Sequence, residues 1–241
     1  MPTDLALRPA GAGDADEVSA LYLAVRRAAV PAMPPQIHTD AEVREHVGHE
    51  IAGKEVWLAT DPDGGDVLGF LVLTPAWLDS LYVGPDHQGR GIGSALLDLA
   101  KAQRPDGFSL WVFASNAPAR GFYHRHGLLE LEHTDGSANE ERAPDVRMAW
   151  PGERPVAFLR SQIDEVDDDL ALLLARRSAL TAVVQAFKGT PGQRGRDADR
   201  EREIAERMAR HAPGLGAEAV ARIMHVVIGE SLDAYEAGSG R

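Results

Sequence analysis

Cysteine is absent from the 241 residues, which excludes disulfides, thiolate nucleophiles and Cys-ligated zinc or iron–sulfur sites and fits a reducing compartment. Lysine is nearly absent: Lys54, Lys101 and Lys188 stand alone, and the other basic residues are arginine. Positive charge is short overall, with 25 Lys plus Arg against 37 Asp plus Glu for a net −12. That balance argues against a nucleic-acid footprint or attraction to an anionic membrane, and turns attention to small-molecule partners. Long apolar runs are also lacking. Stretches such as residues 170–175 are too short to span a bilayer, and the opening residues carry no basic and apolar signal pattern. The expectation is a cytoplasmic protein with neither membrane nor nucleic acid as partner, and with no metal site. What the chain does have is 44% hydrophobic residues, enough to build one large or two small domains.

Two regions differ in grammar. Up to about residue 150, β-like runs at 55–59, 67–74, 79–83, 109–113 and 146–150 alternate with helix-like stretches and with Gly, Pro, Asp and Asn clusters. Beyond Pro151-Gly152-Glu153-Arg154-Pro155 the strand signals stop, and three helical patterns follow, broken at 189–195 and at Pro213-Gly214. Charge changes at the same place: residues 1–152 carry 12 basic and 22 acidic side chains, and residues 153–241 carry 13 and 15. Composition and periodicity thus predict an α/β domain over 1–152 and an all-α domain over 153–241.

In the first region, residues 78–83 read as a strand that runs through Gln88-Gly89-Arg90-Gly91-Ile92-Gly93 into a helix beginning at Ser94. Glycines at 89, 91 and 93 let backbone N–H groups converge on an anion, and the helix N-terminus adds partial positive charge, so a pyrophosphate fits there with Arg90 as a further donor. The spacing matches neither the P-loop nor the dinucleotide fingerprint. A tight turn before an amphipathic helix is the alternative reading.

This Gln88 to Gly93 segment resembles the Q/R-x-x-G-x-G/A coenzyme A motif of the GNAT N-acetyltransferases. The resemblance continues through Trp111-Val-Phe-Ala-Ser-Asn116 to Phe122-Tyr123, similar to the next strand, splay and helix of that family. It implies acetyl-CoA held by the backbone from Gln88 to Ser94, pantetheine alongside Leu81, Tyr82 and Val83, Asn116 meeting the cofactor, and Tyr123 near the thioester sulfur. Acetyl transfer then requires direct attack by an amine, an oxyanion stabilised by a backbone N–H near Val83, and an acid for the departing thiolate, for which Tyr123 is the candidate. Asp79 and His38 are alternative bases, each with a structural role as its competing reading. The acceptor amine is not specified. The acidic stretch 134–141 suits a cationic amine, or is simply a solvated face.

In the second region, apolar residues fall at Leu159, Ile163, Val166, Leu170, Leu173, Leu180, Val184 and Phe187, a seam whose missing position is Arg177. A guanidinium there signals either an ion pair or an anion-binding site. Lys188 lies roughly 20° around the helix from Arg177, about three turns on. Asp197, Arg200 and Glu201 share one patch of the next helix. On the last helix, the stripe of Val220, Ile223, Met224, Val227 and Ile228 ends in Ser231 and Tyr235. Donors outnumber acceptors on these faces, and a small dianion is the natural filling.

Residues 159–167, Leu173 to Arg177, Lys188 and Asp197 to Arg202 resemble the all-helical AroQ-type chorismate mutases. The resemblance implies a three-helix domain that forms an intertwined homodimer, with Arg160 reaching the partner's site. Arg160 and Arg177 would hold the two carboxylates of chorismate, Lys188 a carboxylate and the ether oxygen, and Asp197 and Glu201 the hydroxyl, with Arg200 and Ser231 completing the wall. Tyr235 departs from the Gln or Glu common in that family. Chorismate to prephenate needs positioning and electrostatic stabilisation rather than a nucleophile or metal. The sequence therefore points to a bifunctional enzyme. Two alternatives stand beside it: a helical domain that binds its ligand without turnover or acts on an amino or iso analogue of chorismate, and an N-terminal domain that binds coenzyme A without transferring an acetyl group.

Overall fold

The structure, a computed structural model, describes residues 5–62, 65–188 and 196–239. It divides into two compact units, residues 1–160 and 161–241.

In the first unit, β1 (Ala6–Pro9), β2 (Glu55–Thr60), β3 (Val67–Leu73) and β4 (Leu78–Val83) form one antiparallel sheet in that order. A second antiparallel sheet has the order β5 (Phe108–Phe113), β7 (Asp145–Trp150), β6 (Leu129–His133). Helices α1 (Ala15–Ala28) and α2 (Asp40–Gly53) precede β2, α3 (Ile92–Gln103) joins β4 to β5, and α4 (Ala117–Arg125) joins β5 to β6. β3 is buried along its whole length, because Phe70 and Val72 face a cluster with Val18 and Leu21 of α1 and Val43 and Val47 of α2, while Leu71 and Leu73 face Leu96, Leu97 and Phe108. That two-sided burial explains an unbroken apolar run where alternation would mark a half-exposed strand. Each fully buried Leu or Phe here contributes roughly 1.5–3 kcal/mol. A Cβ at Gly69 would lie 2.8 Å from the Tyr82 carbonyl, so glycine lets β3 and β4 approach this closely. Thr39 caps α2, with Glu42 closing a reciprocal capping box.

The two sheets part between β4 and β5. Their strands meet only near their starts, where Trp77 bridges Ser109 and the Ser109 amide donates to the Ala76 carbonyl at 2.9 Å. Beyond that point the facing edge of β4 does not pair with β5, leaving backbone donors and acceptors open to a ligand.

Three helices follow: α5 (Pro155–Phe187), α6 (Ala198–Ala209) and α7 (Gly216–Ser239). The limit between the two units falls inside α5. In the second unit α6 and α7 pack through Ala205, Val220, Met224 and Ile228. The seam of α5 was expected to be core, yet it is exposed within the chain: Leu170 is 50% exposed, Leu173 60% and Phe187 88%. Helix α5 also corrects the sequence reading of short apolar runs, since over its 33 residues it is long and apolar enough, by length and composition, to cross a membrane. Its pair of guanidiniums, Arg176 and Arg177, opposes that reading physically, because each is costly at a bilayer centre.

Candidate active sites

At the start of α3, Gly91 takes a left-handed φ of 84° and forms the N-cap without any side-chain cap bond. The first amides of a helix have no intrahelical partner, and at Ile92, Gly93 and Ser94 they line a cleft of about 1690 Å³. Gln88, Gly89, Gly91, Leu81, Tyr82, Val83, Asn116 and Tyr123 line the same cleft, so the structure brings together the sequence-derived coenzyme A residues with one exception. Arg90 does not line it; its guanidinium lies 3.1 Å from His87 Nδ1. Gln88 Nε2 donates to the Val83 carbonyl at 3.4 Å, tying the turn back to β4. Asn116 caps α4, its Oδ1 accepting from the Ala119 amide at 3.2 Å, which leaves its amide donors for a ligand. Ser94 was expected to contribute to phosphate binding. Its Oγ also lies 2.9 Å from His126 Nε2, a partner that sequence reasoning missed.

Tyr123 is 8% exposed and packs edge-on against Phe122. Burial pushes its phenol well above the usual range, and its hydroxyl has no hydrogen-bond partner among the described residues. Such a group stays protonated across ordinary pH and can donate. Burial also raises Tyr82, whose ring contacts Tyr22 and Phe70. Both base candidates line the cleft and both are engaged. Asp79 accepts from Lys54 Nζ at 2.9 Å, and Lys54 also reaches Glu50 at 3.2 Å. His38 lies 2.8 Å from Glu140, whose carboxylate raises its pKa. In the acidic stretch 134–141, Glu141 pairs at 3.0 Å with Arg26, which is 3% exposed and sits over the Phe113 ring. These carboxylates are thus already matched by cations of α1 and of the segment before α2.

In the second unit Arg177 lies on α5 against Ser231 of α7. Among the described residues no carboxylate pairs with it; its Nη1 donates instead to Ser231 Oγ at 3.0 Å. Ser231 in turn donates to the Val227 carbonyl at 2.6 Å. Ser231 is buried, so the chain holds one end of the guanidinium against α7 and leaves the rest for an anion. Lys188, just past α5, and Arg160 on α5 likewise have no ion-pair partner among the described residues. Tyr235 is half-buried on α7, one turn after Ser231.

The acidic residues are placed differently from the expectation. Asp197 is the N-cap of α6, accepting from the Arg200 amide at 3.0 Å. Arg200 is exposed and turned to Glu203 at 2.9 Å rather than to the Arg177 and Ser231 pair. Glu201 is gripped by Arg196 through bonds of 2.8 and 2.7 Å, and that guanidinium holds its carboxyl below the usual range. Arg196 and its second contact, His225 of α7 at 2.6 Å, were not legible as site residues.

Comparison with known proteins agrees with both halves. Residues 22–128 match the acetyltransferase (GNAT) family, and residues 159–236 match chorismate mutase type II. A peptidyl-lysine N-acetyltransferase, YjaB of Salmonella typhimurium, is 36% identical over 112 residues, covering 46% of this chain and 75% of that protein. A second, YiaC of Escherichia coli, is 30% identical over 92 residues, 37% of this chain and 60% of that protein. Among solved structures, apo YjaB from Escherichia coli superimposes with a TM-score of 0.52 at 21% identity, over 61% of this chain and 98% of that one. A phosphinothricin acetyltransferase from Sinorhizobium meliloti, solved in complex with AcCoA, gives 0.50 at 18% identity, over 65% and 92%.

Proposed function

Because the chain belongs to the GNAT acetyltransferase family and carries a chorismate mutase type II domain after it, we propose that it is a bifunctional enzyme, an acetyl-CoA-dependent N-acetyltransferase and a mutase that converts chorismate to prephenate. The observation that carries the mutase half is Arg177, fixed by Ser231 and without a carboxylate partner among the described residues. The uncapped start of α3, opening on the unpaired edge of β4, carries the other half in the same way.

Acetyl-CoA, when bound, supplies the activated acetyl group. The amides of residues 89–94 hold its pyrophosphate, and the β4 edge aligns its amide-bearing arm. Tyr123 holds a proton at its hydroxyl for the leaving sulfur, and its buried, raised phenol keeps that proton in place. Asp79, on β4 and at the cleft, accepts the amine proton. His38 is the alternative base, hydrogen-bonded to Glu140, which raises its pKa. A cationic primary amine is the acceptor class. Its support lies in the peptidyl-lysine substrates for which the relatives are named.

In the helical half, Arg177 and Arg160 of the partner subunit bind the two carboxylates of chorismate, and Lys188 stabilises the negative charge that develops on the ether oxygen. No proton is transferred, so these groups act by position and field. The exposed seam of α5 supports a homodimer through the C-terminal helices, a partner arrangement that places Arg160. Tyr235 favours a second reading, in which this pocket binds its ligand without turnover or takes an amino or iso analogue.

The acetyl half is tested by release of free thiol and by product mass on a panel containing a lysine peptide, a polyamine and free amino acids. Acetylation of a cationic amine is expected, and coenzyme A binding with no acetylated product overturns this half. For the other half, Tyr235→Gln is expected to keep or raise chorismate turnover, and a loss would show that the tyrosine is functionally placed.

A further inference from the structure

Helix α6 begins with Asp197 as N-cap, which makes Arg196 the residue before the cap and Glu201 the fourth of the helix. Those two positions face each other across the first turn, where apolar pairs commonly staple a helix start. Here the staple is charged. Arg196 Nε reaches Glu201 Oε1 at 2.8 Å and Nη2 reaches Oε2 at 2.7 Å, the two parallel bonds of a bidentate fork. The same Nη2 lies 2.6 Å from His225 Nδ1 and 3.1 Å from the His225 carbonyl. A guanidinium only donates, so His225 offers the Nδ1 lone pair and carries its proton on Nε2. Gly229, one turn on, leaves the guanidinium at ordinary contact distance, 3.5 Å from where a Cβ would stand. One side chain therefore ties the first turn of α6 to the middle of α7.

We propose that Arg196 is a positioning residue for Glu201, braced by His225, which fixes the carboxylate as a pure acceptor for the substrate hydroxyl and cancels its charge toward a dianionic substrate. This rests on the reading of the helical domain as a chorismate site. Two of the four acceptor directions of Glu201 are taken by Arg196, so a hydroxyl meets the remaining ones in a set direction. An unmatched carboxylate at that spot would repel the substrate's own carboxylates. The other titratable groups beside Glu201 are Asp197, which opposes its ionisation, and the His225 ring, 3.8 Å away; Arg200 is engaged by Glu203.

The test uses the full chain with Arg196→Gln and Arg196→Lys, reading the Glu201 carboxyl titration by 13C NMR and the pH profile of chorismate turnover. In Arg196→Gln the Glu201 midpoint is expected to rise, because the Arg196 hydrogen bonds that lower it are lost, with the acid limb of kcat/KM rising alongside it and roughly a tenfold loss near neutral pH. Arg196→Lys, which keeps charge without the fork, is expected to recover most of the titration shift and only part of kcat/KM. A wild-type enzyme that turns over chorismate, with an Arg196→Gln profile superimposable on its own, overturns the inference alone. Chorismate left untouched by the wild type overturns the reading on which it rests, and the inference with it.

Discussion

Tyr123, Arg177 and Glu201 show what a residue type at a given position reveals. Tyr123 was placed by its motif, and the structure puts it on the cleft wall, where burial keeps the phenol protonated and its hydroxyl has no hydrogen-bond partner among the described residues. Tyr123→Phe removes the proton and almost no volume, so acetyl transfer is expected to fall about 10²-fold while acetyl-CoA binding, followed by calorimetry, stays unchanged. Arg177 was legible because it interrupts an apolar seam. Glu201 was legible only in part, since its partner Arg196 follows a break in the helical pattern, and the pairing of Asp79 with Lys54 joins two strands' neighbourhoods that no local pattern connects. Stability at this scale has a pH signature. Asp14, hydrogen-bonded to Arg8 and to the Gly11 amide, is lowered to about 2. A lowered carboxyl stabilises the fold above its unfolded value and loses that contribution as pH falls toward the folded one. Asp14→Asn is expected to cost about 1 kcal/mol at pH 7 in urea denaturation, and the difference from wild type should shrink as pH drops from about 4 toward 2.

At the scale of elements, the runs that read clearly were those with a buried face or a glycine boundary. β3 is unbroken because both its faces are covered, and α3 begins where Gly91 turns left-handed. β1 and β6 were missed. Both are short, half-exposed edge strands: β1, four residues ending in Arg8-Pro9, carries no apolar alternation, and β6 does alternate, as Leu129-Glu130-Leu131-Glu132, but over only five residues. The part of the site that depends on the parting of β4 from β5 was not legible either, because a missing strand pair leaves no mark in local sequence. Helix α5 gives the clearest prediction. Its seam is apolar, periodic and exposed within the chain, a combination that calls for a partner surface. Leu173→Glu is expected to shift the protein from dimer to monomer in sedimentation velocity and to remove chorismate turnover with it, because Arg160 of the partner subunit is then lost from the site. A wild-type chain that sediments as a monomer contradicts the dimer.

Across the whole molecule, the sequence changes grammar near residue 152, the compact units divide between residues 160 and 161, and each unit has its own core. The two proposed sites share no residue. Loss of one activity is therefore expected to leave the other intact: Tyr123→Phe should keep chorismate turnover, and Lys188→Ala should keep acetyl transfer. A substitution in one half that abolishes both, in a chain that remains folded by circular dichroism, would contradict that independence. The central claim is catalysis by the helical half in a chain whose other half is an acetyltransferase fold. Its most direct measurement is the loss of chorismate ultraviolet absorbance with the purified full chain, the product being identified by mass and by acid conversion to phenylpyruvate, beside a Lys188→Ala control. The account predicts prephenate from the wild type and a fall of at least about 10²-fold in the control; chorismate unchanged by the wild type, or converted equally well without Lys188, would contradict it.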